Sequence, residues 1–103
     1  MSAEIIMLGT GNAMATKCYN TWLMCEAFCL HTDKDYYKPY EKNHSTALDA
    51  GKIASELGIS NLILYHTEDD HLDSRKRMYA KEAGQSFSGR IYVPDDMERI
   101  SLV

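Results

Sequence analysis

The stretch NLILYHTEDD, residues 61–70, decides how the rest of the chain reads. Leu62, Ile63, Leu64 and Tyr65 run directly into His66, and three acids, Glu68, Asp69 and Asp70, follow. A short apolar run without alternation is the pattern of a strand buried on both faces of a parallel sheet. In open α/β sheets, ligands collect beyond the carboxyl ends of such strands, where His66 stands. The same residue can equally be a strand-end histidine with no further task, and its position alone does not choose.

Upstream, residues 45–58 carry a strong helix signal. Thr46 followed by Asp49 forms a capping box, with Asp in place of the usual Glu. Ala47, Ala50, Ile53, Ala54 and Leu57 make one apolar stripe, and Gly58 stops it. WLMCEAFCL, residues 22–30, is a second strand-like run. Strand, helix and strand in that order predict a right-handed βαβ unit with parallel strands. The Tyr-rich segment 31–44, with Pro39, reads as an ordered loop.

Downstream, a second helix is expected over Ser74 to Ala83, with Asp73 as N-cap and Gly84 as stop. Its Arg75, Lys76 and Arg77 read as a solvated face. RIYVP and ERISLV are further strand candidates around the turn Pro94-Asp95-Asp96. At the other end, IIMLGTGNA, residues 5–13, reads as a buried strand closed by a Gly9-Thr10-Gly11 turn.

The chain has 103 residues, enough for one small domain, with 45% hydrophobic and 25% charged residues. A net charge of −4 argues against general nucleic-acid binding, which needs surplus Lys and Arg. No run approaches the ~18 apolar residues that cross a bilayer. Cys18, Cys25 and Cys29 cannot all pair with one another, which suits a reduced, cytoplasmic setting. Cys25 and Cys29 share one face of a strand and lack a second ligand pair, so they read as buried thiols rather than zinc ligands.

His66 at a strand end, His44 just before the helix and Glu26 in the neighbouring strand could converge. An imidazole beside a carboxylate is a common arrangement for proton transfer. Gly9, Thr10 and Gly11, together with the helix start at Ser45, could instead hold an anion through backbone N–H groups.

These residues resemble the ribonuclease Z-like branch of the metallo-β-lactamase-fold hydrolases. MLGTGNAMATKCYNT resembles the family's first strand and turn. WLMCEAFCL, then HSTALDAGKIASELGISNLILYHTED, then FSGRIYVPDDMERISL, resemble its C-terminal part in order. The resemblance implies a four-layer αββα sandwich holding one or two zinc ions that activate water for phosphodiester cleavage. It gives His66 the role of a metal ligand and His44 that of proton transfer at the scissile phosphate. Glu26 would be the supporting carboxylate of a His-Glu-Ala-Thr motif, although position 25 is Cys and position 28 is Phe here.

The family's main metal motif, His-x-His-x-Asp-His, does not occur in this sequence. Thr21 and Trp22 abut where the family has a long intervening stretch. The chain therefore reads as one truncated domain, residues 1–21 joined to 22–103. Its expected fold is a partial αββα structure, a mixed sheet with two main helices, completed by oligomerisation. One retained metal ligand leads us to expect no stoichiometric zinc and a catalytically inactive homo-oligomer, with strands exchanged between copies as one form of it. Two alternatives stand beside it. One is a zinc-dependent phosphodiesterase or ribonuclease, acting on RNA at a site assembled across subunits. The other is an anion- or nucleotide-binding module.

Overall fold

The computed structural model describes residues 21–68, 70 and 72–102. Strand β1 (Trp22–Glu26), helix α1 (Lys34–Tyr37), helix α2 (Ala47–Glu56), strand β2 (Asn61–Tyr65), helix α3 (Arg75–Ala83) and strand β3 (Arg90–Tyr92) follow one another. The strand expected within 5–13, its Gly9-Thr10-Gly11 turn and Cys18 lie outside the described residues.

The described sheet has the order β1-β2-β3 and is parallel throughout. Leu23 pairs with Leu62, Cys25 with Leu64 and Glu26 with Tyr65. Parallel neighbours require a crossover, and α2 and α3 supply one each. No antiparallel member of the expected mixed sheet occurs among the described residues. The core holds fully buried Leu62 and Leu64, with Ala47, Ala50 and Ala54 of α2 and Tyr79 and Ala83 of α3.

Helix α2 begins as its sequence predicts. The Thr46 hydroxyl accepts from the Asp49 N–H at 3.2 Å, and Asp49 Oδ2 accepts from the Thr46 N–H at 3.0 Å. Its buried face differs from the expected stripe. Gly51 faces inward, whereas Ile53 is 41% and Leu57 63% exposed. The reason is the close crossing of α2 and α3, which leaves no room for a side chain at position 51.

Burial pushes the Asp49 carboxyl up, but hydrogen bonds from the Thr46 backbone and the Tyr40 hydroxyl outweigh it and hold the pKa below 3.8. A depressed folded-state value means that stability is present above the unfolded pKa and is lost as pH falls through the folded one. Thr46→Ala should cost about 1 kcal/mol at neutral pH in urea unfolding. The gap between the chain and Asp49→Asn should narrow below about pH 4, where the carboxyl begins to protonate in the unfolded state.

Four further expectations are corrected. The residue preceding α3 is Ser74 rather than Asp73, and it makes no side-chain cap. Arg75 is not solvated: it is 7% exposed and donates to Thr67 Oγ1 at 3.1 Å, Pro94 O at 2.9 Å and Asp95 Oδ1 at 2.5 Å. ERISLV is not a strand over its described residues. Likewise, strand structure in WLMCEAFCL stops at Glu26, and Cys29 makes only an isolated bridge to Thr46.

Candidate functional site

Strands β1 and β2 end side by side, and their carboxyl ends carry Glu26 and His66. The Ala27 N–H donates to Tyr65 O at 3.0 Å, holding the two exits together. His66 then takes a positive φ of 57°, which bends the chain sharply off the sheet. Non-glycine residues in this region are uncommon and cluster at functional sites. His44 arrives from the opposite side. The Phe28 N–H donates to Ser45 O at 2.9 Å and the Ala47 N–H to Cys29 O at 3.0 Å, which fixes the segment before α2.

The result is a cluster around one carboxylate. Glu26 Oε1 makes a short contact with His44 Nδ1, while Glu26 Oε2 lies 3.7 Å from His66 Nδ1. The Ser45 N–H donates to Glu26 Oε1 at 3.4 Å, and the Ser45 hydroxyl donates to the Glu26 carbonyl at 2.8 Å. Glu26 and His44 are largely shielded, and His66 is 43% exposed on its side chain. Phe28 closes one flank by stacking on His44, with centroids 4.5 Å apart and planes at 19°. One ligand atom from each of Glu26, His44 and His66 falls within 4.8 Å of the others.

The structure thus brings together the three residues proposed to converge. It deals differently with the proposed anion site. Both polar groups of Ser45 are engaged by Glu26. The first N–H groups of α2 are also taken: Ala47 by Cys29 O, Leu48 by Glu82 Oε1, and Asp49 by the Thr46 hydroxyl. Gly9, Thr10 and Gly11 lie outside the described residues, so the described part of that site offers an anion little.

Other candidate ligands lie apart or are otherwise committed. His31 Nδ1 is 3.3 Å from Thr46 Oγ1, and Asp70 accepts the Tyr37 hydroxyl. Asp69 and His71 lie outside the described residues. Cys25 and Cys29 are free thiols, and burial, aided by neighbouring carboxylates, pushes both up to about 11. At pH 8 about one thiol in a thousand would be ionised at either position. Iodoacetamide should therefore modify Cys29 far more slowly in the folded chain than in urea, as peptide mass spectrometry would show.

Two contributors were not foreseen in the sequence. Phe28 gives no spacing signal, because it lies in an apolar run that looks like a continuing strand. Arg75 anchors Thr67, next to His66, and its basic neighbours disguised it as surface.

An α/β sheet with its chemistry gathered at the strand ends is the framework of several enzyme classes. No family model matches the chain. Its backbone matches the crystal structure of the metallo-beta-lactamase fold protein YhfI from Bacillus subtilis. That match has a TM-score of 0.57 and 28% identity, over 71% of this chain and 27% of that one. The fold is accordingly part of a metallo-β-lactamase fold. More narrowly, the chain is related to the ribonuclease Z-like hydrolases of that fold. It is 30% identical to ribonuclease Z of Thermobifida fusca (strain YX) over 80 residues, 78% of this chain. It spans about a quarter of the length of each relative. Among the described residues, no helix is long and apolar enough to cross a membrane.

Proposed function

We propose that this chain by itself is a non-hydrolytic, self-associating relative of the ribonuclease Z-like hydrolases, retaining the proton-transfer pair of a phosphodiesterase site. The observation that carries this reading is the pairing of His44 with Glu26. A carboxylate on Nδ1 orients an imidazole and leaves its other nitrogen available to exchange a proton with a phosphate ester. Zinc, when bound in such a site, supplies an activated water and an electrophile. Sites of that kind use three protein ligands with an open position. The family likeness assigns His66 alone to this task, while His44 and Glu26 are committed to proton transfer.

Self-association fits the outer side of the sheet, where Met24 is 44% and Tyr65 43% exposed. A parallel sheet is ordinarily covered on both faces. We take residues 1–21 and 22–103 as one domain and its setting as cytoplasmic. Light scattering behind size exclusion should give a dimer or larger species, and zinc-supplemented chain should not cleave bis-p-nitrophenyl phosphate above background. Zinc-dependent turnover that vanishes in His44→Asn would overturn the proposal.

A second reading draws on the same cluster, since a positioned His44–Glu26 pair is what a phosphodiesterase assembled across copies would need. In that case RNA cleavage would rise steeply with chain concentration, because only the assembled form would be active.

A further inference from the structure

We infer that Glu26, His44 and His66 together form a one-ion transition-metal site within a single chain. This differs from the division of labour just described, which gives the ion only His66. Two imidazole nitrogens and one carboxylate oxygen are a ligand set suited to zinc, cobalt or nickel rather than to magnesium or calcium.

The geometry favours it in three ways. First, a tetrahedral ion with bonds near 2.0–2.1 Å holds its ligand atoms about 3.3 Å apart. Glu26 Oε2 and His66 Nδ1 already stand at 3.7 Å, and the whole set falls within 4.8 Å. The ligand atoms would therefore have to draw together by at most about 1.5 Å, the difference between 4.8 Å and that spacing.

Second, the ligands come from three anchored places. Glu26 ends β1, His66 directly follows β2, and His44 is fixed by the pairing of Phe28 with Ser45. Ordering them costs little at the moment of binding, because folding has already placed them. Third, exposure is graded across the cluster. His66 is the open side, with 43% of its side chain accessible, while Glu26 and His44 form the shielded floor. An ion can enter past His66 and keep its remaining position for water.

Capture of an ion in this way would also fit the non-hydrolytic reading proposed above. A His44 nitrogen that binds metal is held in place and withdrawn from proton exchange. Metal binding is read independently of turnover.

The test uses the full chain with zinc or cobalt alone. Isothermal titration with zinc should show one saturable equivalent per chain. Cobalt should give the intense visible absorption of a four-coordinate centre, without the near-ultraviolet bands of thiolate ligation. His66→Asn keeps a residue that tolerates the positive φ, and Glu26→Gln keeps the side-chain shape. Each should weaken zinc at least about 100-fold, since losing even an outer partner of a ligand costs roughly 10–100-fold. Circular dichroism of both variants would establish that they remain folded. Absence of saturable binding at millimolar zinc would overturn the inference. So would binding that is unchanged in both variants, or cobalt spectra dominated by thiolate bands.

Discussion

Gly51→Ala is expected to destabilise the chain by about 3 kcal/mol or more, at the upper end of what overpacking costs. A Cβ at position 51 would lie 2.2 Å from the carbonyl oxygen of Ala83 and 2.9 Å from its carbonyl carbon and Cα. All three are backbone atoms near the end of α3, so no side-chain rotation relieves the clash. The helices would have to separate, and the small-residue seam of Ala47, Ala50, Ala54 and Ala83 would lose its contact. For a domain of this size, 1 kcal/mol moves the melting temperature by about 4–8 °C, so a drop on the order of 12–24 °C should appear in a thermal melt. Gly58→Ala is the contrasting control. Its added methyl meets open space, and only the φ of 65° resists it. That cost is about 1–2 kcal/mol.

Glu82→Ala should be nearly as damaging. Glu82 is 6% exposed, and its Oε1 accepts from the backbone N–H groups of His31 at 2.5 Å and Leu48 at 3.1 Å. One buried acceptor from α3 thus serves both the turn after β1 and the first turn of α2, where negative charge is also favoured by the helix dipole. Truncation leaves two donors without an acceptor, at about 1–3 kcal/mol each. A loss of roughly 2–6 kcal/mol in urea unfolding is expected, and Glu82→Gln should lose less because its amide oxygen can still accept. Equal losses in the two variants would show that the charge, and not the acceptor, is what matters.

How far the sequence could be read follows from which interactions are local. Helix α2 was legible because its capping box spans four consecutive residues, Thr46 to Asp49. Strand β2 was legible because an apolar run carries its own burial. The inward face of α2 was misjudged at Ile53 and Leu57, since what chose Gly51 instead is the approach of a helix that starts some twenty residues later. Arg75 failed for a similar reason: its acceptors Thr67, Pro94 and Asp95 lie 8, 19 and 20 residues away. ERISLV looks like a strand by composition alone, and its described residues take no strand structure.

The site shows the same division. Parallel strands end on one side, so Glu26 and His66 had to share a rim, and His44, in the connection from β1 to α2, is held beside it. What spacing could not reveal is which atom meets which. That one carboxylate faces two imidazoles, through a different oxygen each, is a fact of side-chain geometry.

The left-handed backbone at His66 reaches beyond this one molecule. Only a few side chains sit comfortably in that region, with glycine and asparagine foremost. Drift away from histidine in related chains should therefore settle on those two and avoid valine, isoleucine and threonine. A lineage that had discarded its ion would betray the loss by a glycine or asparagine at the turn, with the bend itself preserved.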